Sequence, residues 1–282
     1  MRIGSVPVEI LRARGSAFSG AYDAIANLVH VYEPARRTLT AYTGALVRLR
    51  RDSDDTESDF GYTATGELNV AAIAAWLGVS AGYVVTVYDQ VGGDPVTQAV
   101  EAAQPLYVAS AQNGHAAAVF NGTSQYLQGA FTIGGAVSQP VNVLAVAQLT
   151  AAPSENAVRK IFDGNDSTNR MLTGKLNAAS SYVHHMYAGV SLLSTVAADG
   201  ACHIWTTAFN GGSSVLRRDG VSIDSGNAGT ANLDGITMGA NYTGAADFWQ
   251  GPIAAVLVLD PALSVADRAA LETTVNAYWG VY

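Results

Sequence analysis

Residues 203–220 read HIWTTAFNGGSSVLRRDG, and this stretch decides the fold class. Residues 203–209 are rich in β-branched and aromatic side chains, which favour strands, and 215–218 form a second short strand candidate. Asn210-Gly211-Gly212 and Asp219-Gly220 follow the two candidates. Such combinations favour tight turns, because Gly adopts positive φ without strain. The stretch therefore predicts strand, turn, strand, turn.

The same alternation continues on both sides of this stretch. Further strand candidates lie at 83–88, 117–120, 126–127, 142–149, 160–163, 182–187, 236–238 and 253–259. Turn signals such as Asn121-Gly122 and Asp163-Gly164 separate them, and from residue 107 onward no helical pattern intervenes before the C-terminus. Many short strands with few helices predict an all-β fold, here a two-sheet antiparallel jelly-roll sandwich.

A few short helices complete the prediction. Residues 70–77 are rich in helix formers, and 35–42 are also helix-like. At the C-terminus, Ser264 can cap a helix over 265–278, with Asp267 at the third following position as in a capping box. One helix is therefore expected to close the fold at its C-terminal end.

The first 32 residues differ from the rest of the chain. We divide the sequence into an N-terminal segment, 1–32, and one domain, 33–282. The segment is either an arm for attachment to a larger assembly or an ordinary edge strand and turn of the same domain. It has no apolar run of signal-peptide length, and no stretch of about 18 apolar residues predicts a membrane span.

Composition and charge exclude several classes of partner. The formal net charge of −8 argues against nucleic acid, whose phosphates are bound by clustered Lys and Arg. The single cysteine, Cys202, excludes an intrachain disulfide and suits synthesis in a reducing cytoplasm. No Cys/His cluster has metal-ligand spacing and no nucleotide-binding motif is present, so we expect neither metal nor cofactor.

Two separated stretches near the N-terminus carry a family resemblance. They are 41–54, with AYTG and VRLRRDSD, and 83–93, with YDQ at 88–90 followed by Gly92-Gly93. Residues 33–106 thereby resemble the N-terminal part of the catalytic domain of the arabinofuranosidase B family, also found in phage and prophage surface proteins. Val91 stands where the family has Ser. The YDQ segment is interpreted as a buried polar knot that pins a strand end.

A second resemblance covers 107–282. It is carried by FNGTSQYL at 120–127, by 203–211, by RDGV at 218–221 and by 253–264. These residues resemble the laminin-G-like or concanavalin A-like jelly roll.

A catalytic role is not predicted. Glycoside hydrolysis generally needs two carboxyl groups facing one glycosidic bond. From residue 107 onward the only glutamates are Glu155, in a loop, and Glu272, on the terminal helix. Where the arabinofuranosidases have a Gly-Asn-Glu-type nucleophile, this chain has Asp163-Gly164-Asn165-Asp166. These aspartates are interpreted as turn formers, with an Asp163/Asp166 catalytic pair as the alternative.

A carbohydrate site needs only an aromatic surface and polar groups for the sugar hydroxyls. Six residues are predicted to bind glycan: Tyr182, His184, Trp205, Asn241, Tyr242 and Trp249. For each aromatic among them, the alternative is a place in the core.

These observations and the resemblances together predict a non-catalytic virion surface protein, a tail fibre or head spike that binds host cell-surface polysaccharide. It would assemble in the bacterial cytoplasm, contact other virion subunits through residues 1–32 and form homo-oligomers. Two alternatives stay open: a purely structural virion protein, such as a decoration or fibre-base protein, and a glycoside hydrolase of the arabinofuranosidase type.

Overall fold

A computed structural model describes residues 18–178 and 181–282. Within these residues antiparallel strands dominate, accompanied by two α-helices, α1 (Val70–Leu77) and α2 (Val265–Trp279). The strands are β1 (Leu28–Tyr32), β2 (Val47–Arg51), β3 (Glu57–Phe60), β4 (Gly82–Val87), β5 (Val96–Thr97), β6 (Leu106–Gln112), β7 (His115–Asn121), β8 (Leu127–Ala130), β9 (Val141–Gln148), β10 (Arg159–Asp163), β11 (Leu172–Ala178), β12 (Ser181–Tyr187), β13 (Ser191–Ala197), β14 (Cys202–Phe209), β15 (Ser214–Arg218), β16 (Val221–Gly226), β17 (Gly235–Met238) and β18 (Gln250–Leu259).

The strands form one hydrogen-bonded network that nearly closes on itself. Its order is β16, β15, β14, β9, β18, β7, β6, β4, β5, β8, β17, β10, β11, β12 and β13, and β13 lies beside β16. The antiparallel all-β prediction is confirmed. The division into two separate sheets is not seen, because the two-residue strand β5 pairs with both β4 and β8 and joins the halves. The fold is a barrel-like sandwich.

Strand β9 lies at the centre of the packing, between β14 and β18. Because successive side chains of a strand point to opposite faces, β9 contributes side chains to two hydrophobic cores. Val143 and Ala145 enter the main core inside the sandwich. Leu144 and Val146 enter a second core on the outer face. Each fully buried Val or Leu contributes on the order of 2 kcal/mol.

Helix α2 covers the second core. Ser264 caps its first turn by accepting a hydrogen bond from the backbone N–H of Asp267. Leu271, Val275 and Trp279 recur every four residues, and all three are buried. The predicted C-terminal helix and the helix at 70–77 are both confirmed. The predicted helical segment at 35–42 is wrong.

Residues 35–42 stay irregular because the side chain of Gln90, just beyond the end of β4, forms hydrogen bonds with their backbone groups. Gln90 Oε1 accepts hydrogen bonds from Thr38 N at 2.8 Å and Thr38 Oγ1 at 2.9 Å. Its Nε2 donates to the carbonyls of Glu33 and Arg36, at 2.9 Å each. Asp89 meanwhile accepts from Val31 N at 2.9 Å. The structural interpretation of the YDQ segment agrees with these bonds.

The predicted N-terminal segment, 1–32, belongs in part to the domain. Its first 17 residues lie outside those described. Its last five form β1, which pairs with β18 and buries Val31 and Tyr32 completely. This is the arrangement expected of an edge strand. Among the described residues, no helix is both long and apolar enough to cross a membrane.

Candidate functional site

A tight turn after β10 brings several polar and charged side chains together. Asp163 ends the strand and is fully buried. Its carboxylate accepts two hydrogen bonds from Arg170, Nε to Oδ1 and Nη2 to Oδ2, both at 2.7 Å. Burial raises the pKa of Asp163, and the guanidinium of Arg170 opposes that rise. The pair closes residues 163–170 into a fixed loop, the 163–170 turn.

A second loop, residues 241–246 after β17, meets this turn. Tyr242 N donates to Asp163 Oδ2 at 3.2 Å. Gln128 Nε2 donates to the carbonyl of Tyr242 at 2.7 Å, which anchors the loop to β8. Asn241 shapes the loop from within, because its Oδ1 accepts from Thr243 Oγ1 at 2.8 Å. Asp163 thus orders both loops at once.

Two tyrosine rings lie close to the Arg170 guanidinium. Its carbon lies 4.7 Å from the ring centre of Tyr242 and 5.6 Å from that of Tyr187, which ends β12. Both rings are half-buried and therefore keep part of their surface in solvent. A cation held by a carboxylate beside two aromatic rings fixes the orientation of those rings.

The other end of the 163–170 turn carries two carboxyl groups. Asp166 Oδ1 accepts from the backbone N–H groups of Thr168, at 2.5 Å, and Asn169, at 2.8 Å. Asn169 Nδ2 then donates to Asp234 Oδ2 at 2.9 Å. Asn169 thus joins the two carboxyl groups, binding Asp166 through its backbone N–H and Asp234 through its side-chain amide.

These two carboxyl groups differ in acidity. Hydrogen bonds from the backbone of Asn169 and Thr168 lower the pKa of Asp166. Burial and the nearby charge of Asp166 raise the pKa of Asp234. The pKa values of the two carboxyl groups are therefore shifted in opposite directions.

Two acceptor atoms next to this pair have no donor. Asn165 Oδ1 and Asp234 Oδ1 are buried and unpaired among the described residues. The Asn165 side chain lies against the residue that follows Asp234, since a Cβ built on Gly235 would lie 2.4 Å from Asn165 Cγ. Buried acceptors are normally paired with a protein donor, a water or a ligand. Hydroxyl donors, one for each atom, would satisfy them.

Beneath the site, Lys160 Nζ lies 3.0 Å from His185 Nε2, and both residues are buried. Burial lowers the pKa of Lys160 to about 8. Burial, with the nearby Lys160 charge, also lowers the pKa of His185. The imidazole is thus neutral and its Nε2 accepts from Lys160. Among the described residues, no group of three or more His, Cys, Asp or Glu could hold a metal ion.

The structure divides the six predicted glycan-binding residues. Asn241 and Tyr242 lie in this site. Tyr182 lines a separate depression with Pro153 and Thr195. His184, Trp205 and Trp249 are at most 2% exposed.

Burial therefore corrects the prediction for His184, Trp205 and Trp249. The rings of His184 and Trp205 pack against each other with centres 3.9 Å apart. Trp249 donates its Nε1–H to the carbonyl of Gln148 at 3.1 Å. With their faces covered by protein, none of the three offers a ring to a sugar.

Sequence reasoning missed three residues of the site: Asn169, Arg170 and Asp234. They come from a turn and from the position just before β17, so no sequence spacing connects them. One sequence signal pointed to this site. Asp163-Gly164-Asn165-Asp166 marks the turn in which Asn169 and Arg170 lie.

Sequence comparison and fold comparison give different results. No family model matches this chain, and no curated protein is similar to it in sequence. An arabinofuranosidase complexed with arabinofuranosyl-α-1,2-xylobiose shares the fold with a TM-score of 0.69 at 14% identity. A GH54 α-L-arabinofuranosidase soaked with a cyclic sulfate inhibitor gives a TM-score of 0.71, also at 14% identity. Each match covers 92% of this chain and 64% of the other, so the chain spans less than two thirds of those proteins.

These matches correct the expected function. A non-catalytic virion surface protein was predicted, yet the solved structures that share the fold over most of this chain are glycoside hydrolases with bound substrate or inhibitor. Neither is described as a virion component, and the prediction of a fibre or spike is withdrawn. The resemblance to the arabinofuranosidase fold is confirmed, and at 14% identity it establishes the fold alone.

Proposed function

We propose that this chain binds a carbohydrate in the site formed by the 163–170 turn and the 241–246 loop. The observation that carries the proposal is that the site holds two unpaired acceptors, Asn165 Oδ1 and Asp234 Oδ1, as well as the partly exposed rings of Tyr187 and Tyr242. Sugar hydroxyls supply the missing donors, and a ring face suits the apolar C–H side of a sugar.

The electrostatics of the site support the same ligand class. Arg170 donates two hydrogen bonds to the Asp163 carboxylate, which neutralises its charge. The part of the site near Tyr187 and Tyr242 therefore does not require an anionic ligand. At the other end, Asp166 and Asp234 accept hydrogen bonds from hydroxyl groups. The site therefore suits a neutral polyhydroxylated ligand. Arabinofuranosyl oligosaccharides are the first class to test, because proteins with this fold hold them.

Calorimetric titration with arabinofuranosyl-α-1,2-xylobiose tests the proposal. Tyr242→Ala removes the ring against Arg170, and we expect it to weaken binding by about tenfold. Tyr182→Ala is the matched control, since this half-buried tyrosine lines a different depression. Equal affinities for both variants and the parent protein would refute the site, as would the absence of binding to any pentofuranosyl oligosaccharide.

Hydrolysis is the second candidate function, and the Asp166–Asp234 pair favours it. Glycosidases commonly use two carboxyl groups with different pKa values. Here the pKa of Asp166 is lowered and that of Asp234 is raised. Retaining enzymes place the glycosidic bond between two carboxyl groups roughly 5 Å apart. Here Asn169 holds both groups, Asp166 through its backbone N–H and Asp234 through its side-chain amide.

Release of nitrophenol from 4-nitrophenyl α-L-arabinofuranoside measures this activity directly. If the pair is catalytic, Asp166→Asn and Asp234→Asn each abolish turnover, whereas Asp224→Asn on β16 leaves it unchanged. Turnover that survives both substitutions excludes the pair. No turnover by the parent protein leaves carbohydrate binding as the function.

A further inference from the structure

A second groove lies outside the carbohydrate site. It consists of two adjoining depressions of about 380 Å³ and 250 Å³ that share Tyr83 and Gln125. The first is polar and is lined by Arg50, Asp52, Asp55, Glu101 and Ala102. The second is mainly apolar and is lined by Leu106, Val119, Phe120 and Asn121. None of these residues belongs to the 163–170 turn or the 241–246 loop.

Gln125 lies where the two depressions meet, and it is 8% exposed. Its Oε1 is buried with no hydrogen-bond donor among the described residues. Removing a polar atom from water without a partner costs on the order of 1–3 kcal/mol. Gln125 Oε1 is therefore an acceptor in need of a donor, and the protein around the groove does not provide one.

The polar depression is rich in acceptors and poor in free donors. Its carboxylates, Asp52, Asp55 and Glu101, can only accept hydrogen bonds when ionised. Its one lining cation, Arg50, already donates to Asp55 at 2.6 Å and to Gln104 Oε1 at 2.8 Å. Three carboxylates against one guanidinium leave this end of the groove negative. A ligand that brings donors and positive charge is favoured here over a neutral one.

The adjoining depression sets the shape of the rest of the ligand. Leu106, Val119 and Phe120 form an apolar surface next to the carboxylates. We propose that the groove binds a primary ammonium group on an aliphatic stem, as in an alkylamine or a lysine side chain. The ammonium donates to Gln125 Oε1 and to Glu101, the one lining carboxylate without an ion pair among the described residues, and the stem packs on the apolar surface. A neutral sugar carries as many acceptors as donors, and the groove offers few hydrogen-bond donors to those acceptors.

Titration of the full chain with hexylamine, followed by amide NMR shifts, tests the groove. Glu101→Gln and Asp52→Asn each remove one exposed carboxylate, and we expect each to weaken hexylamine binding by about fivefold. Glu57→Gln is the matched control, because Glu57 is an exposed acid outside the groove whose nearest cation is Arg48. Raising the salt from about 20 mM to about 500 mM should weaken binding further.

The companion ligands separate the outcomes. Binding of N-acetyl-lysine methylamide as well as hexylamine identifies a lysine side chain as a sufficient source of the ammonium, and binding of hexylamine alone identifies a free amine. Hexanol, which lacks the charge, should not bind. The proposal is overturned if hexanol binds as well as hexylamine, if Glu57→Gln and Glu101→Gln weaken binding equally, or if no shifts saturate near Gln125. Displacement of hexylamine by arabinofuranosyl-α-1,2-xylobiose would also overturn it, by assigning the groove to sugar.

Discussion

At the scale of single residues, Asp163 joins the two loops of the proposed carbohydrate site. It is fully buried, it accepts both hydrogen bonds of the Arg170 fork, and it accepts the backbone N–H of Tyr242. Removing one partner of a buried pair is costly, because the other charge loses its compensation while water cannot replace it.

Asp163→Asn keeps the shape of the side chain and removes its charge. We expect it to lower the free energy of unfolding by about 3 kcal/mol in urea denaturation. Asp59→Asn is the control, because the Asp59–Arg48 pair is roughly 40% exposed on both sides and its loss should cost under about 1 kcal/mol. Equal losses for the two variants would show that Asp163 does not hold the turn.

His203 predicts a pH dependence of stability. Burial lowers its pKa, but hydrogen bonds to Asp219 and Asp199, both at 2.6 Å, outweigh burial and raise it overall. A raised folded pKa stabilises the protein fully below the unfolded value of about 6.5 and loses that effect as pH rises through the folded value.

The protein should therefore lose stability relative to a His203→Gln variant as the pH is raised above about 6.5. Urea midpoints of both proteins at about pH 6 and about pH 9 measure the difference, since the other histidines are common to the two. A difference that is the same at both pH values would contradict the assignment of His203 as an imidazolium.

Sequence reasoning reached part of the site at this scale. Asn241 and Tyr242 were predicted because polar and aromatic residues stand side by side in a turn-rich segment. His184, Trp205 and Trp249 were predicted as aromatic side chains that could face a sugar, and they are buried. Alternation along a strand predicts which side chains share a face, but it does not predict which face the rest of the protein covers.

At the scale of elements, the close approach of β10 and β11 positions the 163–170 turn between them. A Cβ added at Gly174 would lie 2.0 Å from the carbonyl oxygen of Arg159 on β10. That contact is with backbone, so only separation of the strands relieves it.

Gly174→Ala should therefore lower the free energy of unfolding by about 2–3 kcal/mol and weaken sugar binding, because the turn loses its support. Gly61→Ala is the matched control, with no atom within 4 Å of the added Cβ. Thermal unfolding and the calorimetric titration report both effects. If Gly174→Ala keeps the parent stability and affinity, the β10–β11 contact does not position the site.

The strands that could be predicted best are those whose side chains are buried on both faces. Strands β9 and β18 are continuous apolar runs and were predicted almost to their ends. Strands β11, β13 and β16 were missed because each mixes polar and small residues, and their pairing partners rather than their own sequences fix them. The error at 35–42 has the opposite cause: local helix preference was overridden by the distant amide of Gln90.

At the scale of the whole molecule, near closure of the strand network brings distant segments to one place. Strand β17 pairs with β8 on one side and antiparallel to β10 on the other, so the turn after β10 lies beside the start of β17. The loop after β17 reaches the same turn through the hydrogen bond from Tyr242 N to the Asp163 side chain. Turn signals predicted many strands, but this closure depends on the short bridge through β5, which no periodicity marks. The antiparallel class was therefore predictable, and the joining of the two halves was not.

A crystal structure of the protein soaked with arabinofuranosyl-α-1,2-xylobiose shows whether sugar binds between the 163–170 turn and the 241–246 loop. We expect an arabinofuranosyl ring against the Tyr242 side chain, with a hydroxyl within about 3 Å of Asn165 Oδ1 or Asp234 Oδ1. Sugar bound at any other surface, with these two atoms still unpaired, would contradict it.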